Sequence, residues 1–490
     1  MVFLLLSALL LILSYPPFDF GWLAWAALVP WLWGLRGISP GGAFLRGFLV
    51  GFLFFAGTVW WVGHVTVTGA VALVAALACF FGAWGWAAAR LEERGAGRSA
   101  LLALPAAWAL LEFFRNVFLG GCGWNLLAHT QWHRLPIIQL ADLTGVHGVS
   151  FLVVLVNVAL YLALSDWRRA LRPLGLALLC VAAALAYGTA RIRQVDSAPA
   201  AGPAFKVAAL QGNIPQTLKW DPSYVDEIWQ RYHALTLAAA AGKPDLIVWP
   251  ETSVPGFLED ADVAERLKEV ARDAGTFLLV GAPTSRWLRV AGSAVPESRL
   301  FNSAVLLSPD GTELGRYDKM HLVPFGEFIP FKPVFGWLQN VVPIGDFSAG
   351  TAFTVFARDP PFGVLICFED LFPGISRALV RRGARVLFVI TNDGWFGRSA
   401  ASLQHLQASV FRAVEGRAWV VRAANSGWTG FVDPAGRPLP PPGQIPRFKE
   451  GFAVAELSPS PVASPYARWG EWFLGLCAIM LFLAWKPSSS

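Results

Sequence analysis

Charge is scarce in this chain. Asp, Glu, Lys and Arg make up only 15% of 490 residues, and residues 1–190 and about 469–485 are nearly without them. Soluble domains carry about 25% charged residues, so a fully hydrated fold is excluded for those stretches. Cysteine is scarce as well, with five in all. Cys79, Cys122, Cys180 and Cys477 lie in or beside very hydrophobic segments, which leaves Cys367 alone in the polar half. A disulfide-stapled domain is excluded there, and a nucleophile becomes the leading reading of that thiol. The sequence also lacks an internal repeat at a period of about 20–50 residues. It has no nucleotide-binding loop, and its one biased tract is Pro438-Leu439-Pro440-Pro441-Pro442.

What is present is apolar: 55% hydrophobic residues, with 23 Trp and 36 Phe. Hydropathy predicts seven membrane spans before the polar part, at roughly 2–14, 21–35, 43–63, 69–89, 100–114, 148–165 and 173–190, and an eighth at 469–485. A crossing helix needs about 20 residues; the first two candidates are short and are separated by Pro16-Pro17. Residues 1–20 lack the basic flank and small-residue cleavage site of a signal peptide. The loops after spans two, four and six carry eight arginines (Arg36, Arg46, Arg90, Arg94, Arg98, Arg168, Arg169, Arg172), against Arg115 and Arg134 on the other side. The positive-inside rule then puts the N-terminus in the cytoplasm and residues 191–468 outside. Those arginines and Lys486, set against Glu92, Glu93 and Asp166, already balance to the net charge of +6. The basic character therefore reports topology and leaves no cationic stripe for nucleic acid.

From Lys206 the pattern changes to alternating strands and helices. Strands are predicted at 206–211, 245–249, 276–281, 302–307, 312–317, 362–367 and 385–390, and amphipathic helices at 223–241, 261–274, 371–383 and 400–417. Several strands end on polar residues that structure alone does not demand. Leu246-Ile247-Val248-Trp249-Pro250-Glu251 ends on a carboxylate; Tyr317-Asp318-Lys319 leads into Pro324-Phe325-Gly326-Glu327; Val364-Leu365-Ile366-Cys367-Phe368-Glu369 delivers a thiol. A Glu, a Lys and a Cys after three different strands suit acyl transfer through a thioester, as proton acceptor, charge stabiliser and nucleophile. Taken singly, each has a plainer reading as a cap, a solvated lysine or a core thiol.

These segments, over about 206–455, resemble the carbon-nitrogen hydrolase (nitrilase) superfamily, whose Glu-Lys-Cys triad sits on an αββα sandwich. The resemblance implies Glu251 as general base, Lys319 as electrostatic stabiliser and Cys367 as nucleophile. A sandwich fused behind seven spans and before an eighth is similar to one branch, the apolipoprotein N-acyltransferases, as are Gln211-Gly212-Asn213-Ile214-Pro215-Gln216 with Trp220 and the Pro324–Glu327 turn. One departure is Phe368, where Tyr is frequent. The fold expected is thus a membrane α-helical bundle of about eight helices (1–190 and 466–490) plus an α/β αββα sandwich over 191–465. The branch implies transfer of a phospholipid sn-1 acyl chain to the α-amine of an S-diacylglyceryl cysteine on an apolipoprotein. No cofactor is expected, nothing suggests an obligate partner so a monomer is expected, and the arginine distribution puts the catalytic domain on the outer side of a bacterial cytoplasmic membrane.

Glu327 and Glu369 are candidates to orient Lys319, with helix capping as the alternative for Glu369. Phe368 and Trp220 are candidate lining residues, Trp220 alternatively an interfacial anchor. A neighbouring Lys319 is expected to lower the Cys367 thiol from about 8.5. Glu112 and Arg115, one helical turn apart in span five, read as an ion pair or as a headgroup contact. The loop 116–147, with Trp124, His129, Trp132, His133 and His147, reads as an interfacial platform whose histidine spacing fits no standard metal site. Two competing functions remain at this level: a tethered amidase using water, and a transporter with an outer binding domain. The second predicts more charge within the spans than Glu112 and Arg115 supply.

Overall fold

A computed structural model describes residues 1–94, 99–166, 168, 170–219, 221–289, 296–329, 336 and 346–485. It forms two compact units. The first comprises Met1–Ser197, Ser399–Arg417 and Val462–Ser490. Among the described residues, five of its helices are long and apolar enough to cross a membrane: Pro40–Thr58, Val67–Glu93, Ala100–Gly120, Val146–Ser165 and Leu171–Ser197. They coincide with expected spans three to seven. The other three candidates are the short apolar helices Val2–Leu13, Leu23–Leu35 and Trp472–Trp485. Helices of 12 and 14 residues reach only about 18–21 Å against a hydrocarbon layer of about 30 Å. Five helices rather than eight therefore meet the length requirement alone. Close helix contact rests on small residues: a Cβ on Gly47 would come within 2.5 Å of the Phe81 carbonyl oxygen.

Within this unit most polar residues of the stretch 116–147 are folded inward, while Phe118, Leu119 and His133 stay exposed. Trp124, Asn125, His129, Gln131, Gln139, Asp142 and His147 are all buried. Glu112 and Arg115 make no direct ion pair. Glu112 Oε1 instead accepts from Trp108 Nε1 (2.9 Å) and the Leu127 amide (2.7 Å), while Arg115 donates to the Trp124 carbonyl (3.0 Å). Helix Ala401–Gly416, expected as an amphipathic layer of the sandwich, belongs to this unit and is buried on nearly all sides. Gln404 accepts from Trp61 Nε1, and His405 and Phe411 pack on Trp124 and His129.

The second unit comprises Ala198–Arg398 and Ala418–Pro461. Its first sheet contains β1 (Phe205–Gln211), β2 (Leu246–Val248), β3 (Phe277–Leu288), β4 (Glu297–Leu307) and β5 (Glu313–Asp318). Its second contains β6 (Val355–Phe356), β7 (Phe362–Ile366), β8 (Val386–Thr391), β9 (Trp419–Ala424), β10 (Thr429–Val432) and β11 (Gln444–Ile445), while β12 (Gly451–Leu457) returns to the first. The orders are β12-β1-β2-β3-β4-β5 and β11-β10-β9-β8-β7-β6. Strands β1, β2 and β3 run parallel, as do β7, β8 and β9.

Alternation of period two builds the layers. Val207, Ala209, Val248 and Leu279 face Val364, Ile366, Phe388 and Val421 in one core between the sheets. Ala208, Leu210, Ile247 and Val280 point the other way, onto helices Val225–Ala240 and Ala261–Ala274 through Trp229, Tyr232, Leu267 and Val270. This is the expected sandwich with both outer faces available to helices. The expected strands match β1 to β5, β7 and β8. Strand β9 escaped notice because Arg422 interrupts its apolar run; that arginine is fully buried against Asp370 at 2.8 Å.

Candidate active site

Parallel strands end together, so the residues just past β2, β7 and β8 collect at one carboxyl edge, and β4 and the end of β5 extend beside them. Glu251 follows β2 on a tight turn in which Thr252 has φ of 43°. The turn lies flat against β3 only because residue 281 is glycine: a Cβ there would come within 2.3 Å of the Pro250 oxygen and 2.7 Å of the Glu251 Cα. The Glu251 carboxylate is 6% exposed. Its Oε1 accepts from Asn302 Nδ2 (2.8 Å) and Lys319 Nζ (3.5 Å), and its Oε2 from the Asn392 amide (2.9 Å).

Lys319 follows β5, and its amide continues the pairing by donating to the Asn302 carbonyl at 2.8 Å. Its ammonium is buried and lies 2.9 Å from Glu327 Oε2 and 3.0 Å from Oε1. Asn302 Nδ2 reaches both carboxylates, Glu251 at 2.8 Å and Glu327 at 3.0 Å. One amide thus clips together the two anions that flank one cation.

Cys367 ends β7 on an elbow. Its φ is 55°, a conformation costly for a non-glycine residue, and it opens the short 3-10 turn Cys367–Leu371. Glu369 holds that elbow. Its carboxylate accepts from the amides of Ile366 (2.7 Å), Met320 (2.8 Å) and His321 (3.0 Å) and from the Tyr317 hydroxyl (2.9 Å). It therefore ties the Cys367 turn to the backbone following Lys319 through amides and not through the ammonium. Below them, Arg422 lies between Asp370 (2.8 Å) and Asp393 (3.7 Å).

Electrostatics follow from burial. Burial pushes the Cys367 thiol up, and the Glu251 charge pushes it further; Lys319 and a hydrogen bond from Thr391 only partly offset this. The expected lowering by Lys319 is thus reversed, because desolvation of the thiolate outweighs one cation already claimed by two carboxylates. For Lys319 itself burial works downward, but Glu327 and Glu251 more than compensate, and the lysine stays charged. Burial raises the Glu369 carboxyl to about 7 against its four donors.

Comparison with known proteins adds a decisive observation. Residues 7–159 match the model for the apolipoprotein N-acyltransferase N-terminal domain, and residues 206–464 match the carbon-nitrogen hydrolase model. An apolipoprotein N-acyltransferase of Geobacter metallireducens is 38% identical, over 99% of this chain and 95% of its own. One of Azotobacter vinelandii is 36% identical, over 98% and 93%.

The chain belongs to the apolipoprotein N-acyltransferase family.

It is accordingly a membrane acyltransferase with a carbon-nitrogen hydrolase domain. Among solved structures, an amidase of the nitrilase superfamily from Nesterenkonia matches with 21% identity, covering 57% of this chain and 98% of that one, at a TM-score of 0.40. Of the residues expected at the site, Glu251 and Lys319 touch, both act electrostatically on Cys367, and Glu327 touches Lys319. Phe368 packs with Phe372 and His321 at ring separations of 4.9 and 5.5 Å. Trp220 lies outside the described residues. Sequence reasoning missed Asn302, Asn392 and Lys219. Asn302 carries a signal, a lone amide within the apolar strand Phe301-Asn302-Ser303-Ala304-Val305-Leu306-Leu307; the other two sit in loops without one.

Proposed function

We propose that this enzyme transfers the sn-1 acyl chain of a phospholipid to the N-terminal α-amine of an S-diacylglyceryl-cysteine apolipoprotein, through a thioester on Cys367. Residues 1–190 and 466–490 are the membrane part and 191–465 the catalytic domain, outside the cytoplasmic membrane of a bacterium and acting as a monomer. The observation that carries the reading is the shared, buried hydrogen-bonded cluster of Glu251 and Lys319 under the electrostatic influence they both exert on Cys367.

Glu251 accepts the thiol proton as sulfur bonds to the ester carbonyl carbon. Lys319 holds the resulting oxyanion, and collapse breaks the carbon–oxygen bond. Glu251 returns its proton to the departing alkoxide, releasing lysophospholipid. In the second half, Glu251 takes a proton from the acceptor amine as nitrogen bonds to the thioester carbon. The carbon–sulfur bond breaks, the proton returns to sulfur, and an amide leaves. No cofactor enters either half. Because the thiol rests protonated, a proton acceptor in hydrogen-bonding contact with the stabilising cation matters more than a preformed thiolate. The reading is tested by incubating the purified protein with phospholipid and a diacylglyceryl-cysteine peptide. Lysophospholipid with N-acylated peptide is the expected outcome; free fatty acid with unmodified peptide identifies a hydrolase.

A further inference from the structure

Lys219 takes no part in the mechanism above, yet its ammonium is buried beside the base. It is 7% exposed, and Nζ donates to the Glu251 carbonyl oxygen at 3.0 Å and to Thr252 Oγ1 at 2.7 Å. Those two acceptors bracket the turn whose Thr252 adopts φ of 43°. The same loop makes a second contact with the site, since Gln216 Oε1 accepts from Asn392 Nδ2 at 2.7 Å while the Asn392 amide donates to Glu251. The lysine also interacts electrostatically with Glu251 and Cys367. A buried cation is expensive, and a neutral side chain would suffice merely to fill this position.

We propose that Lys219 is a positioning residue for the base and a second cation for the negative charge of the site: it holds the Glu251–Thr252 turn in its left-handed conformation and favours ionisation of Cys367. The proposal rests on the acyl-transfer reading for its kinetic consequence, and for its electrostatic one on a buried ammonium held at the Glu251–Thr252 turn. The charges facing the sulfur are Glu251, Lys319 and Asp393, with Glu327 behind Lys319. Two carboxylates already share Lys319, so a further cation is not redundant. Burial lowers Lys219 to about 8, so its contribution is full at neutral pH and fades as pH rises past that value.

Two rates are to be measured on full-length protein in phospholipid vesicles, from pH 6 to pH 9 as about the accessible range. They are alkylation of Cys367 by iodoacetamide, followed peptide by peptide, and formation of acylated Cys367. Lys219→Met is expected to slow alkylation about tenfold at pH 7, the effect of raising a thiol by about one unit, and to slow acylation at least as much. Lys219→Arg, which keeps the charge, stays within about threefold in alkylation. Thr252→Val, which removes one acceptor and no charge, slows acylation and leaves alkylation unchanged. Unchanged alkylation in Lys219→Met overturns the cation role, and full acylation in Thr252→Val overturns the tether. Absence of acyl-Cys367 in the unsubstituted protein defeats the acyl-transfer reading instead, while the alkylation comparison still decides the role of the charge.

Discussion

Asn302 offers a severe test of the site, because one nitrogen serves two carboxylates. It donates to Glu251 at 2.8 Å and to Glu327 at 3.0 Å, and the residue is only 3% exposed. A hydrogen bond to a charged partner contributes about 1.5–3 kcal/mol. In Asn302→Leu, a near-isosteric change that keeps water out, both bonds go and Glu251 Oε1 retains only Lys319 at 3.5 Å. If about 3 kcal/mol of the combined loss appears in the transition state, acylation slows on the order of 100-fold. Asn302→Ala admits water and loses less. Single-turnover formation of acyl-Cys367 measures this directly, with thermal unfolding as the control for structure. An Asn302→Leu enzyme that folds normally and acylates within about threefold of the unsubstituted rate would refute the clip and the importance of the Glu251–Lys319–Glu327 arrangement.

Other expectations follow from the same geometry. Burial and the Glu251 charge hold the Cys367 thiol protonated through neutral pH, so the thiolate fraction grows with pH. Its alkylation rate therefore keeps climbing from pH 7 to 9, less steeply above about 8, where Lys219 loses its charge; a plateau below pH 8 contradicts this. Gly281→Val forces the Pro250–Glu251 backbone off β3 and reduces acylation sharply, which single-turnover assays would detect. Glu369→Gln turns an NH2 donor toward backbone amides that need an acceptor, at a cost of about 1–3 kcal/mol, seen as a lower melting temperature together with slower acylation. In the apolar unit, Arg417 donates through Nε to Asp142 at 2.8 Å with both side chains fully buried. Arg417→Met leaves that carboxylate to Arg191 (2.7 Å) and the Tyr187 hydroxyl (2.5 Å) and destabilises the protein by about 1–3 kcal/mol, measurable by thermal unfolding in detergent.

Much of this was legible in the sequence, for physical reasons that differ by element. Strands β2 and β7 are short apolar runs buried on both faces, and each is followed by the residue it delivers, so strand and site were read together. Long apolar helices announce themselves by hydropathy, but hydropathy does not measure length after folding; Val2–Leu13 and Trp472–Trp485 are apolar throughout yet short. Helix Ala401–Gly416 looked amphipathic because Gln404, His405, Gln407, Arg412 and Glu415 are polar, yet all are buried. Gln404 meets Trp61 and Glu415 meets the Val146 amide, hundreds of residues away in sequence, which local periodicity cannot reveal. The same limit hid Asn302 and Lys219, whose significance consists entirely of what they touch. Finally, the direction of the Cys367 shift depends on how completely the sulfur is desolvated, a property of the assembled sheets and not of neighbouring residues in the chain.

The central claim, that Cys367 carries the acyl group, is tested most directly by mass spectrometry of the intact protein after incubation with phospholipid alone. One fatty-acyl increment, mapped to Cys367, released by hydroxylamine and absent from Cys367→Ala, is the predicted result. An increment that persists in Cys367→Ala, or that maps to another residue, would contradict the account.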